Sequence, residues 1–256
     1  MGSLALADLE SLLRARKLDG TLTSALAVPQ KWDEGVVPTG LAPLDAQLGG
    51  GVPRGHLSEI AGPRSTGRTS VLCAVLAATT ARGELAALVD TLDTFDPASG
   101  AATGIDLSRL LWIRGSPFIG KGDLLTRTLH RALEALGLVL HADGFGVVAL
   151  DLADVPTRVI RQVPFTTWMR LSRAIEGSKT ACVLLGAAPI ARSSAGRTIV
   201  LQSAGAVGRW SGESDRARVF HGFDVQASVI GRQSTAVSPP MNCRLKTVDC
   251  RLPTEL

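Results

Sequence analysis

Eight consecutive residues, Gly62-Pro63-Arg64-Ser65-Thr66-Gly67-Arg68-Thr69, follow the phosphate-loop spacing G-x-x-x-x-G-K-[ST] at every fixed position but one. The exception is Arg68, which stands where the pattern has lysine. Glycines at both ends of such a loop let the backbone wrap until its N–H groups converge on anionic oxygens. A helix starting there adds the positive end of its dipole. Gly62, Arg64, Ser65, Thr66, Gly67, Arg68, Thr69 and Ser70 are therefore the candidate phosphate contacts, with a hydroxyl of Thr69 or Ser70 offered to Mg²⁺. Arginine keeps the positive charge, but its guanidinium is wide and planar where an ammonium is a compact point charge. A strand-to-helix turn that holds no ligand would carry the same glycines, so the loop alone does not decide between the two.

Further along, the apolar run Val147-Val148-Ala149-Leu150 ends in Asp151. An acid at the end of a buried strand beside a phosphate loop orients Mg²⁺, directly or through water. Capping of a turn is the plainer role for a strand-end aspartate, yet loop and acid together are more specific than either. Four histidines (His56, His130, His141, His221) are too scattered for a metal site, and Asp143 and Asp154 read as loop caps. The net charge of +4 is unevenly spread: residues 154–232 hold 11 Lys or Arg against 5 Asp or Glu. Clustered cations suit a phosphate backbone, although a solvated surface would look the same. Cys73 and Cys182 sit in apolar runs as core thiols, and the cysteine spacing fits neither a metal nor a redox pair. No uninterrupted apolar run reaches membrane-spanning length, and acids near the N-terminus disfavour a secretory signal, so a cytoplasmic location is expected.

The elements that must position these residues follow from the periodicity. Residues 3–17 repeat at helical spacing with Leu6, Leu9 and Leu13 on one stripe, and Gly20 ends the run. A Pro- and Gly-containing stretch then isolates this helix, which must bury its leucines on its own core or on a neighbour. Three segments result: an N-terminal helix at 1–20, a linker at 21–35, and a core at 36–256 whose end, from about residue 198, is rich in short strands. The core predicts a helix over 39–48, a turn over 49–55 and strands over 56–61, 85–90, 110–113, 146–151 and 180–185. Helices are expected over 70–82, 124–136 and 168–176. Strands alternating with helices, several apolar on both faces, imply an α/β fold with a mostly parallel sheet covered on two sides. Residues 198–202, 206–210, 216–220 and 224–231 extend it as antiparallel strands. Trp168 and Trp210 are expected in the core rather than stacked on bases.

Thr39-Gly40-Leu41-Ala42-Pro43-Leu44-Asp45, Leu48-Gly49-Gly50-Gly51-Val52-Pro53-Arg54-Gly55-His56 and Glu59-Ile60-Ala61-Gly62-Pro63 together resemble the bacterial RecA family. Val89-Asp90 through Asp96-Pro97 and Gly104-Ile105-Asp106-Leu107 continue the likeness, which is clear over about residues 36–113. The resemblance implies a RecA-like P-loop core binding ATP or ADP with Mg²⁺. It also implies an N-terminal helix docking on another copy or on RecA, and contact with single-stranded DNA. Three departures stand against it. The lysine is Arg68; the place of the glutamate that activates water is Leu92; the Asn-Gln pair that senses the γ-phosphate is Gly186-Ala187. Leucine cannot polarise water and alanine cannot hydrogen-bond a phosphate.

The stretches after Asp151 and Pro189 match the family's two DNA-binding loops, and the resemblance makes Arg158 and Arg161 in the first and Arg192 and Arg197 in the second the candidate DNA contacts. Both loops are short, and this, together with the losses, resembles the ImuA type. That type accompanies an inactive polymerase homologue, ImuB, and an error-prone polymerase in damage-induced mutagenesis. The leading expectation is thus a non-hydrolysing accessory protein of DNA repair. Two others stay open: an active DNA-stimulated ATPase with Asp93 as base, and a non-catalytic single-stranded DNA-binding module.

Overall fold

The computed structural model describes residues 35–117, 123–191, 195–202, 207–212, 218–230 and 241–246. The N-terminal helix with Leu6, Leu9 and Leu13, nearly all of the linker, and Arg192 lie outside the described residues.

The chain enters through a two-residue strand β1 (Val36–Val37), helix α1 (Ala42–Leu48) and a second short strand β2 (Val52–Pro53), which pairs antiparallel with β1. Asp45 closes this entry by accepting both the amide and the hydroxyl of Thr39, at 2.7 and 2.8 Å. The main sheet then builds from β3 (Leu57–Ala61), β4 (Leu85–Asp90), β5 (Leu110–Arg114), β6 (Phe145–Asp151), β7 (Ala181–Gly186), β8 (Thr198–Leu201), β9 (Val207–Ser211), β10 (Val219–Ile230) and β11 (Met241–Lys246). Its order is β11-β10-β8-β3-β7-β6-β4-β5, with β9 also paired to β10. The strands from β8 to β5 in that order are all parallel, whereas β10 pairs antiparallel with β8, β9 and β11. This is the expected mostly parallel α/β sheet with an antiparallel extension.

Both faces of the parallel part are buried, and the alternation of side chains shows how. Ala86, Leu88, Val147, Ala149, Val183 and Leu185 join a core with Val71, Leu72, Val75 and Leu76 of helix α2 (Arg68–Ala81). Ala87, Val89, Val148, Leu150, Cys182 and Leu184 point the other way. They meet Leu129, Leu133 and Leu136 of α4 (Asp123–Ala142), and Trp168, Leu171 and Ile175 of α6 (Phe165–Ile175). A six-residue helix α3 (Pro97–Ala102) follows β4, capped by Asp96, and a single turn α5 (Thr157–Ile160) follows β6.

Several boundaries differ from expectation. Helix α2 begins at Arg68, not at residue 70, so Arg68 and Thr69 belong to its first turn. Helix α4 runs six residues past Leu136, through Gly137, because Val139 and Leu140 remain on the core face. The expected break between residues 220 and 224 is replaced by one strand, β10, with an irregularity between Phe220 and Gly222. Trp168 is buried as expected, but Trp210 is 59% exposed on β9, so its core assignment fails.

Leu136 is fully buried, and Leu138, two residues on, is 74% exposed. Leu136→Ala should therefore lower unfolding free energy by about 3 kcal/mol in a denaturant titration, and Leu138→Ala by less than about 0.5 kcal/mol.

Candidate functional site

The parallel register delivers the site. Ala61 at the end of β3 lies level with Gly186 of β7 and Val200 of β8, and the next residue, Gly62, donates its amide to Gly186 O at 3.1 Å. A β-carbon on Gly62 would stand 2.7 Å from Thr66 Oγ1 and 2.9 Å from Leu201 O, so the chain turns here only as glycine. Ser65 (φ 62°) and Gly67 (φ 84°) make the left-handed steps that bring the chain back into α2. The fully buried Thr66 closes the loop from within, its hydroxyl donating to Pro63 O at 2.8 Å. No side chain caps α2, so Gly67 hands the first turn over to backbone amides alone. Thr69 is exposed and Ser70 half-buried.

Arg68 does not extend outward from this loop. Its side chain is only 7% exposed, with Nη1 donating to Gly62 O at 2.8 Å and Nη2 to Asp154 Oδ1 at 3.2 Å. The same Asp154 oxygen accepts Arg64 Nε at 3.0 Å, although Arg64 is 80% exposed. Two guanidiniums of the loop thus converge on one carboxylate oxygen, so Asp154, expected as a loop cap, is an ion-pair partner instead.

Asp151 closes the floor. It ends β6 in register with Asp90 of β4 and Leu185 of β7, and its Oδ1 accepts the Ala153 amide at 2.8 Å. Burial is the main force pushing its carboxyl up, to about 6. The negative charges of Asp90 and Asp154 add to that, while the Ala153 amide and Arg68 work against it. Cys73, on α2, has its thiol pushed up to about 11, by burial first and then by the charge of Asp151. Asp90 itself is buried and committed to structure: it accepts the Thr94 amide at 3.0 Å, the Phe95 amide at 2.8 Å and Trp112 Nε1 at 3.2 Å.

Leu92 packs against the α4 side of the core. Asp93, at φ 57°, is held by both oxygens to Arg114, through Nε and Nη2 at 2.8 Å each. Arg114 also stacks 4.7 Å over the Trp112 ring, and Trp112 meets Phe95 edge-on. The hydrogen bond from Arg114 is the largest of the causes that hold the Asp93 carboxyl below the usual carboxylate range. Such a carboxylate is a poor proton acceptor. On the other flank, Glu59 of β3 is buried and accepts the amides of Ile190 and Ala191, at 2.6 and 2.9 Å. It ties the loop after β7 to the root of the phosphate loop. The signal for Glu59 in the sequence is a carboxylate inside a strand that is otherwise buried.

A family model described as the RecA N-terminal domain matches residues 19–139. The RecA of Roseiflexus sp. (strain RS-1) is 41% identical over 133 residues, 52% of this chain and 33% of that protein. The RecA of Symbiobacterium thermophilum is 42% identical over 99 residues, 38% of this chain and 28% of that protein. The RecA of Heliobacterium modesticaldum is 28% identical over 165 residues, 59% of this chain and 44% of that protein.

Over residues 19–139 the chain is similar to the RecA N-terminal domain, and the sheet is that of a RecA-like core. The matched stretch spans less than half the length of these relatives. The RecA-like core brings Gly62, Arg64, Ser65, Thr66, Gly67, Arg68, Thr69, Ser70 and Asp151 to one end of the parallel strands. The candidate DNA contacts are less uniform. Arg158 and Arg161 are exposed on α5 and its C-cap. Arg197 is half-buried at the start of β8, its amide donating to Ser58 Oγ at 3.0 Å and its carbonyl accepting the Glu59 amide at 2.8 Å. Among the described residues no cluster of His, Cys, Asp and Glu could hold a metal by itself. No helix there is long and apolar enough to cross a membrane.

Because the folded protein holds the Asp151 proton more tightly than an unfolded chain does, Asp151 costs stability as pH rises from about 4 to about 6. Above that range the cost is complete. Asp151→Asn keeps an acceptor for Ala153 and removes the charge. It should raise stability by about 2–3 kcal/mol at pH 7.5 and leave it unchanged at pH 4, in matched urea titrations.

Proposed function

We propose that this RecA-like chain is a non-hydrolysing accessory protein of DNA repair, of the ImuA type. It would act in the cytoplasm by joining RecA, a polymerase complex or DNA. The observation that carries this reading is the fate of three catalytic places. Arg68 is folded into its own loop and ion-paired. Leu92 packs into the core, with its neighbour Asp93 locked to Arg114. Gly186-Ala187 offers the γ-phosphate position no side-chain donor. Hydrolysis needs a base, a sensor and a mobile cation together. Here every one of these has become a packing or bracing element.

Binding is less demanding than cleavage. The amides of an uncapped helix start and the exposed hydroxyl of Thr69 suit a nucleotide diphosphate or triphosphate. Thr69 and Asp151 would hold its Mg²⁺, which would neutralise phosphate charge; with the Arg68 charge withdrawn into the loop, that affinity is weak. Leu6, Leu9 and Leu13 would supply the face for a second copy or for RecA, and an ImuB-like protein and error-prone polymerase complete the assembly in this reading.

The alternative of an active ATPase with Asp93 as base has the Asp93–Arg114 pair against it. Phosphate release with single-stranded DNA should be indistinguishable between the intact protein and its Arg68→Ala variant. Turnover above that of the variant contradicts the proposal.

Arg158 and Arg161 favour single-stranded DNA as a further partner, since both are exposed on one short turn. Arg158→Ala with Arg161→Ala should weaken binding of an oligothymidine and flatten its salt dependence by roughly two phosphate contacts, read by fluorescence anisotropy at several salt concentrations.

A further inference from the structure

Asp154 lies three residues beyond Asp151, on the segment that leaves β6, and one of its oxygens occupies the meeting point of the two cations of the phosphate loop. Between Gly62 and Thr69 the positive side chains are Arg64 and Arg68, and each donates to that single atom, at 3.0 and 3.2 Å. An anionic oxygen held by two guanidiniums at the mouth of a glycine loop is what a phosphate would supply.

The two partners differ in freedom. Arg68 is 7% exposed and bound also to Gly62 O, so it cannot follow Asp154 away; Asp154 is 38% exposed and can leave. A buried guanidinium that loses its carboxylate needs another anion in its place.

We infer that Asp154 is an internal competitor for the phosphate loop, a specificity residue that admits only an anion able to take over both Arg64 and Arg68. The chemical class this selects is the polyphosphate, whose adjacent oxygens can serve two guanidiniums at once. A single weakly held anion gains less than the carboxylate gives up. The exchange has a second consequence. Asp154 belongs to a segment, residues 152–163, that carries Arg158 and Arg161 and is anchored in the core by Leu152, Val155, Val159, Ile160 and Val163. Anion entry therefore frees the Asp154 carboxylate while the segment stays packed, and by reciprocity whatever holds that carboxylate away from the loop favours the anion. The inference rests on the reading of Gly62–Ser70 as an anion-binding loop and adds how that loop is regulated.

The test uses the full chain, with inorganic pyrophosphate and Mg²⁺-ADP as titrants in calorimetry. Asp154→Asn removes the charge with little change of volume, and far-ultraviolet circular dichroism confirms that it folds. The variant should bind both titrants about five- to tenfold more tightly than the intact protein, the scale of one half-exposed ion pair plus the relieved repulsion. Hydrogen–deuterium exchange supplies an independent readout. Pyrophosphate should speed exchange around residues 153–155 in the intact protein while residues 159–163 stay protected, and Asp154→Asn should show the same local change before any titrant is added. Equal or weaker binding by the variant overturns the competitor role while leaving the anion loop standing. Tighter binding with no change around residues 153–155 overturns the displacement of the carboxylate. If neither protein binds either titrant at millimolar concentration, the anion-loop reading itself fails and this inference goes with it.

Discussion

A guanidinium withdrawn from water must find acceptors, and the Arg68 side chain is almost entirely withdrawn. Much of what is particular to this molecule follows from that requirement. Arg68 finds one acceptor in the carbonyl of the glycine that opens its own loop and another on the segment leaving β6. A lysine at this place would present one ammonium on a flexible stem. Arginine presents a rigid fork, which can hold two acceptors in fixed relation. Substitution of one cation for the other thus changes a residue that reaches toward a ligand into one that ties loop to loop. Arg64 then arrives at the same carboxylate from the solvent side and completes a three-membered bridge.

The same conversion of chemistry into structure recurs across the ends of the strands. After β4, a leucine packs where a water-activating carboxylate is expected. The acid that follows is pinned by Arg114, itself stacked on Trp112. Trp112 donates to Asp90, and Asp90 caps the loop that holds Asp93. Asp93, Arg114, Trp112 and Asp90 thus form one connected chain, and both oxygens of Asp93 are engaged by Arg114. After β7, Gly186 gives its carbonyl to Gly62, and Glu59 takes the amides of Ile190 and Ala191. The loops of an enzyme of this class must move to sense a γ-phosphate. Here they are braced to the sheet from both flanks.

Much of this frame was legible in the residues. Runs such as Leu85–Asp90 and Ala181–Gly186 are apolar on both faces because helices cover both, and an eye for continuous apolar stretches finds them. The phosphate loop showed itself by glycines whose spacing the turn enforces. The β1–β2 ribbon did not: two residues a side leave no periodicity to read. The periodicity ends the expected helix at Leu136, whereas α4 continues through Gly137 because its apolar face resumes at Val139 and Leu140. Ion pairs were the least legible of all. Asp154 and Arg68 are far apart in sequence, and only the parallel pairing of β6 and β3 through β7 brings them together. A loop aspartate looks like a cap until its partner is known. Trp210 failed for a related reason: an aromatic in a short strand suits a core or a surface equally well, and β9 sits outside the main path of the sheet.

A backbone cradle depends little on the side chains around it. Gly62 is required by the close approach of Thr66 and Leu201 whether or not a phosphate ever binds, and Gly67 by the left-handed step into α2. Those two constraints concern only the joint between β3 and α2. They hold equally for an enzyme, a binding protein and an empty scaffold. What separates the three is local and electrostatic. The question becomes whether two arginines gain more from one internal carboxylate than from the oxygens of an arriving polyphosphate. The internal partner is always present at high effective concentration; the external one brings more charge and more acceptors. A binding protein results when that balance lies close enough to even for a ligand to tip it, and in this fold the tipping would be felt first by the half-exposed carboxylate of Asp154.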